Sequence, residues 1–272
     1  MKLSLIINCD TRPQNNHAEK MFSGCVNFDF MTEGLKNKIS FLRGFDLEVI
    51  VYVDKHEEIP KEILETLYWQ SDVLIIRNHT NEQSFNDYNY IRALQMASGD
   101  IIVHFDQDVA AFTNSPEPIN DMIKLLEVYD YISYPSWLSP NPVVDNNYDY
   151  FWCSTRFFMC KRETLDFAEI IKCLKDYDYL YQTYPASIRN HWTEHILALI
   201  SKYKGKGVFY PAMNLDTHAI FSWDRYIEGV LKAMNNWSYE QVKGYIVNTC
   251  GGVHYPCDVT ATTGSIVKFE DL

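Results

Sequence analysis

The sequence has no Cys-x-x-Cys pair, no glycine in the segment NCDTRPQNNHAEK behind its first apolar run, no apolar run long enough to span a membrane, and too few cations to balance its acids. Each absence removes a class. Seven cysteines, at positions 9, 25, 153, 160, 173, 250 and 257, form an odd and scattered set, which fits reduced thiols in a cytosol better than a disulfide framework. Cys250 and Cys257 flank His254, but three donors at that spacing make a weak zinc site. The apolar stretch of MKLSLIINCD stops at Asn8, too short for a signal peptide, and the expected location is the cytoplasm, without membrane partners. The 24 Lys and Arg against 36 Asp and Glu leave a net charge of −12, so the field of the chain repels a polyanion unless basic residues gather locally. Three modest clusters could do so: Lys36, Lys38 and Arg43; Arg156, Lys161 and Arg162; and Lys202, Lys204 and Lys206. The missing glycine also disfavours a nucleotidylyltransferase, which places a glycine-rich basic loop there.

What is present is a core. At 272 residues and 47% hydrophobic, the chain can fill one large domain. Short apolar runs, LSLII (3–7), LEVIVYV (47–53), VLII (73–76) and IIVHF (101–105), alternate with helical patterns such as KEILETLYW and NDYNYIRALQMAS. That alternation predicts an α/β fold with a mostly parallel central sheet flanked by helices, residues 1–110 forming a nucleotide-binding half and 111–272 the acceptor and catalytic half of one compact domain. Gly99 would cap the second helix, Ser115 would cap a third with Pro116 in its first turn, and YISYP (131–135) reads as a strand. A polar loop over 136–150, a strand RFFMC (156–160), helices from about Glu163 and Trp192 and a strand GVFY (207–210) complete the expectation.

In a parallel sheet ligands gather outside the carboxyl ends of the strands. Asp10, Asp54, Asp106 and Asp108 each fall at or just past such an end. Two aspartates two apart, in FDQD, suit Mn²⁺ or Mg²⁺ held mainly by phosphate oxygens, because these cations take a few carboxylates plus substrate oxygens. The same spacing in DYD (176–178) lacks the preceding strand and reads as chance.

The segment ASGDIIVHFDQD resembles the approach to the DxD motif of nucleotide-sugar glycosyltransferases of the GT-A (Rossmann-like) fold, and LSLIINCDTR and LEVIVYVD are similar to that fold's first strands. The resemblance implies a UDP-sugar donor touched by Cys9, Asp10, Thr11, Arg12 and Asp54, with Asp106 at the ribose and Asp106 and Asp108 at the metal. Where many members carry an Arg-Asn pair, this chain has Tyr90 and Ile91, with Arg92 next to them as the donor contact. DFMTEGLKNKISFLRGFD, VYVDKHEEIP and FWCSTRFFMCKRETL further resemble T-even-like phage enzymes that add a sugar to glycosylated hydroxymethylcytosine, implying a DNA-borne hydroxyl as acceptor and a host cytoplasm as location.

The second half should supply the rest. In NHWTEHILALI the apolar positions place Glu194 in the first turn of a helix, where a carboxylate is favoured by the helix dipole and where inverting GT-A enzymes carry their base; Glu194 is the catalytic candidate. A late histidine often completes the metal site of this fold, here His218 or His254, with His218 favoured behind a predicted strand. Trp152, Trp192 and Arg156 are the acceptor-binding candidates, since aromatic faces stack on sugars. The resulting expectation is metal-dependent transfer of a sugar from a UDP-sugar to a hydroxyl on modified DNA; a glycan acceptor, or a nucleotide-binding module without catalysis, are the alternatives.

Overall fold

The computed structural model describes residues 1–11, 28–107, 109–133, 143–145, 148–150, 156–183, 207–210, 213–214, 216–222, 231–250 and 267–268. Its elements begin β1 (Lys2–Asp10), α1 (Phe28–Phe41), β2 (Asp46–Lys55), α2 (Lys61–Gln70), β3 (Val73–Asn78), α3 (Gln83–Gln95) and β4 (Ile101–Asp106). There follow β5 (Val109–Thr113), α4 (Glu117–Leu125), β6 (Tyr131–Ser133), β7 (Val143–Asp145), β8 (Tyr148–Tyr150), β9 (Phe157–Lys161), α5 (Phe167–Lys175) and α6 (Tyr177–Thr183). The last are β10 (Gly207–Phe209), β11 (Met213–Asn214), β12 (His218–Ser222), helices Leu231–Met234 and Tyr239–Cys250, and β13 (Val267–Lys268).

The main sheet has eight strands in the order β13-β10-β6-β9-β4-β1-β2-β3. β3, β2, β1 and β4 are mutually parallel, and β6 and β10 run with them, whereas β9 and β13 run against. The expected α/β class with a mostly parallel sheet flanked by helices is what is found. Parallel strands buried on both faces must be apolar throughout, and their period of two sorts the core into two layers. Leu3, Leu5, Ile7 and Cys9, with Val49, Val51 and Val53, pack with Leu35 of α1 and Leu67 of α2. Ile6, Ile50, Tyr52 and Ile102 pack on the other side with Ile91 and Leu94 of α3 and Ile170 and Leu174 of α5. Among the described residues no helix is long and apolar enough to cross a membrane, and the described cysteines, Cys9, Cys160 and Cys173, are buried free thiols.

Several local expectations need correction. α3 ends at Gln95 with Met96 as its cap, so Gly99 is no helix cap; it lies under β1, where its N–H donates to Ser4 Oγ at 2.8 Å. Pro116 is the cap residue of α4 and not its first helical residue, because the turn before it is closed by Thr113 Oγ1 on Ser115 O at 2.6 Å. The segment from Glu163 makes one 3₁₀ turn, Arg162–Thr164, and the α-helix begins at Phe167 behind an Asp166 cap that accepts from the Glu169 N–H. The span 136–150 is not wholly loop, since β7 and β8 pair in it as a hairpin. Lys38, counted among the surface cations, is fully buried. The helix expected from Trp192 lies outside the described residues.

One polar knot ties β1 to β2 and to the turn before β4. Glu48 accepts hydrogen bonds from Ser4 Oγ, from the Ser98 N–H (2.8 Å) and Ser98 Oγ (2.6 Å), and faces Lys2 Nζ at 3.4 Å. Burial acts to raise its pKa, but these donors together hold it down to about 2. A carboxyl whose pKa is depressed by folding stabilises at pH above its unfolded value, near 4.3, and that contribution is lost as pH falls towards 2. Glu48→Gln is expected to cost on the order of 2 kcal/mol at pH 7 and to flatten the acid limb of stability between pH ~4.5 and ~2, read by urea unfolding across pH.

Candidate functional site

The period of two that builds the core also builds the site. Along β1 the face shared with α3 reads Ile6, Asn8, Asp10; along β2 it reads Ile50, Tyr52, Asp54; along β4 it reads Ile102, His104, Asp106. Each strand is apolar where helices cover it and becomes acidic at its carboxyl end. The register lines these ends up: Asn8 is opposite Asp106, Asp10 is opposite Asp54, and Asp54 is opposite Arg77 of β3. Three carboxylates thus stand on one edge and one face of the sheet.

The turn behind β4 is held from several directions. Gln107 N–H donates to Asn8 O (2.8 Å), its side chain accepts from the Asp10 N–H (3.2 Å) and donates to Asp10 O (3.0 Å), so the amide extends β1's ladder by one step. The buried Lys38 ammonium of α1 donates to Gln107 O at 3.2 Å and to Gly34 O at 3.4 Å. One residue earlier in α1, Asn37 Oδ1 accepts from the Ala111 N–H at 2.8 Å. The Asp106 N–H donates to Arg156 O at 3.0 Å. A buried cation donating to the Gln107 carbonyl orients the turn behind β4.

Beyond Asp54 the chain turns over Thr11, whose hydroxyl accepts from the His56 N–H (2.7 Å) and the Glu57 N–H (2.9 Å). This places His56 Nε2 3.3 Å from Asp10 Oδ1 and 3.6 Å from Asp54 Oδ2. His79, one residue past β3, brings Nδ1 to 2.7 Å from the same Asp54 oxygen, and the two imidazole rings stack with centroids 3.7 Å apart. Neither histidine was among the expected site residues. The signal was available, since both follow strand ends on the edge that singled out Asp54.

Of the other expected residues, Asp10, Asp54 and Asp106 share the edge, and Arg156 stands beside Asp106. The Cys9 thiol points into the core under α1, where burial pushes its pKa up to about 12, so it serves packing there. Thr11 is buried and shapes the turn that carries His56. Arg92 is exposed in α3 and donates to Gln95 at 2.8 Å, on the side of the helix away from the sheet. His218 is buried in β12 opposite Thr113, four positions along β5 from Val109, about 14 Å of strand from the FDQD turn; its Nδ1 meets Thr217 Oγ1 at 2.9 Å. That separation sets it apart from the carboxylates. Arg12, Asp108, Trp152, Trp192, Glu194 and His254 lie outside the described residues.

No family model and no curated protein sequence matches this chain. Solved structures do superpose on it at low identity. The glycosyltransferase GlyE of Streptococcus pneumoniae TIGR4 is 10% identical with a TM-score of 0.48, covering 91% of this chain and 63% of its own. Mouse xyloside xylosyltransferase 1 is 10% identical with a TM-score of 0.44, over 75% of this chain and 83% of its own. The mannosyltransferase PcManGT of Pyrobaculum calidifontis, solved with GDP-Man and Mn²⁺, is 13% identical with a TM-score of 0.41, over 96% and 79%. The chain spans less than two thirds of the pneumococcal protein's length.

Proposed function

We propose that the chain is a GT-A-type glycosyltransferase that binds a UDP-sugar at the carboxyl edge of β1, β2 and β4 and transfers the sugar to a hydroxyl. The observation that carries this reading is the alignment of Asp10, Asp54 and Asp106 on one edge and face, with the turn after Asp106 locked by Gln107 and Lys38. Asp10, Asp54 and the main chain around Thr11 would meet the nucleoside, with Arg12 and Arg92 in the expected set beside them.

Hard carboxylate oxygens at a partly open strand end suit Mg²⁺ or Mn²⁺, so Asp106 and Asp108 fit as the residues that hold a divalent cation. Held there, such a cation would supply charge neutralisation for the departing diphosphate. The chain's own residues would orient donor and acceptor: the edge would fix the nucleoside, Arg156, whose main chain pairs with Asp106, would offer a cation on the acceptor side, Trp152 and Trp192 would stack on sugar, and Glu194 would take the proton of the attacking hydroxyl. His218, at the far end of β5–β12, is left out of the ligand set.

For the acceptor we propose a sugar already attached to hydroxymethylcytosine in DNA, on the resemblance of DFMTEGLKNKISFLRGFD, VYVDKHEEIP and FWCSTRFFMCKRETL to the phage enzymes. A second reading, a neutral glycan, is favoured by the charge of −12 and by Lys38 being buried and Lys36 engaged with Glu33 at 2.8 Å. UDP release from a panel of UDP-sugars with Mn²⁺, with and without glucosylated hydroxymethylcytosine DNA, decides between them. Release stimulated by that DNA is the expected result. Stimulation by glycans alone would move the acceptor. Turnover of no UDP-sugar, with no shift in melting temperature on adding UDP and Mn²⁺, would sink the transferase reading.

A further inference from the structure

The pair of stacked histidines is not used by sugar transfer, and its geometry has a second meaning. Asp54 Oδ2, His56 Nε2 and His79 Nδ1 lie within 4.8 Å of one another, and Asp10 Oδ1 is 3.3 Å from His56 Nε2. Two imidazoles and one carboxylate therefore converge from the ends of β2 and β3, with Asp10 of β1 beside His56. Four ligands about 2.1 Å from Zn²⁺ in a tetrahedron stand about 3.4 Å apart. The separation of 3.6 Å between His56 Nε2 and Asp54 Oδ2 already matches that edge; the 2.7 Å contact between His79 and Asp54 is shorter, as a shared proton makes it. A second observation points to a ligand. Asp54 Oδ1 is buried and has no hydrogen-bond partner among the described residues, a costly state for a carboxylate oxygen unless a cation or donor arrives.

We propose that Asp54, His56 and His79 form a binding site for a zinc-class transition cation, with solvent as the remaining ligand, sharing Asp54 with the proposed nucleoside edge and distinct from Asp106 and Asp108. Imidazole nitrogen selects such metals over Mg²⁺. Binding turns the two rings out of their stack; the Nδ1–H of His79 gives way to the metal while its Nε2 takes up a proton from solvent, so the imidazole stays neutral and the proton count is unchanged. The three side chains are partly open, at 16% to 27% exposure, so the ion has a path in. Thr11 acts as support, since its hydroxyl fixes the turn that aims His56.

The test uses Co²⁺ as a spectroscopic stand-in, titrated into the full chain without nucleotide. One Co²⁺ per chain with the intense visible bands of four-coordinate nitrogen and oxygen ligation is expected, displaced by Zn²⁺ and not by Mg²⁺. His56→Phe and His79→Phe each keep a ring in the stack and are expected to abolish the bands while circular dichroism and melting stay as in the wild type; Asp108→Ala is expected to keep them. Bands unchanged in both histidine variants, bands lost in Asp108→Ala, or only the weak spectrum of six-coordinate cobalt would overturn the site. The readout needs no donor sugar: a chain that binds Co²⁺ here and turns over no UDP-sugar keeps this inference and loses the transferase reading, and the opposite pair of results does the reverse.

Discussion

On the proposed reading, Asp108→Ala is expected to lower kcat/KM for metal-dependent UDP release by about 10²-fold or more, with the melting temperature of the ligand-free protein unchanged or slightly raised. The expected activity loss follows from charge: a diphosphate leaving group needs a cation, and with one of the two proposed carboxylates removed Asp106 alone would hold it. The stability change has the opposite sign because two carboxylates two residues apart repel when no cation is bound, so removing one relieves the apo protein. Asp106→Asn should fall in the same activity class, while DYD at 176–178 is the control: Asp178→Ala, in α6 and away from the strand ends, should leave UDP release within twofold. Equal loss in both would mean that destabilisation, and not a metal site, explains the effect.

Gly99→Ala is the second large effect, and it is on stability. A Cβ at Gly99 would stand 2.7 Å from Ser4 Oγ, 2.8 Å from Lys2 O and 2.8 Å from Ser4 N, and two of those three atoms are main chain of β1. A flexible side chain could swing aside; a central strand paired on both sides cannot. Either β1 or the turn must move, which strains the Glu48 knot with Ser4 and Ser98 as well. The cost is on the order of 3 kcal/mol, a fall in melting temperature of roughly 5 °C for a domain of this size. Gly244→Ala supplies the contrast within one protein: nothing lies within 4 Å of its Cβ position, it sits in the helix Tyr239–Cys250, and the added methyl should stabilise by about 0.5–1 kcal/mol. Calorimetric melts of the two variants give opposite signs if close approach at Gly99 is the cause.

The parallel half of the sheet was legible because buried parallel strands leave long apolar runs, and the runs at 3–7, 47–53, 73–76 and 101–105 all fall within strands. The edge of carboxylates followed from the same runs, since an aspartate after five apolar residues can only mark where cover ends. The misses have a common cause in contacts distant along the chain. Gly99 has the look of a helix cap, and only β1, 95 residues away, reveals its purpose. β5 and β12 hold each other through pairs such as Ala111 and Ile220, for which no local pattern exists. Lys38 has the spacing of a surface lysine and is instead buried against the Gln107 carbonyl, because no property of residues 30–42 alone announces an acceptor 69 residues on. His56 and His79 each follow a strand end, which marks them as edge residues, but they share no spacing motif, and their proximity exists only once β2 and β3 pair.

Asn37 and Lys38 are neighbours on α1, and they grip the FDQD turn from its two sides, one at Ala111 and one at Gln107. The flanks of that turn, Gln107 and Ala111, are therefore held by a helix from another part of the chain. On the proposed reading, redesigning the preference among cations of different radius by varying residues 104–110 alone would work against flanks fixed from outside. The wider search belongs in α1, where Leu35 and Phe41 set how deeply the helix seats, and where a change in seating would be transmitted to both ends of the turn at once.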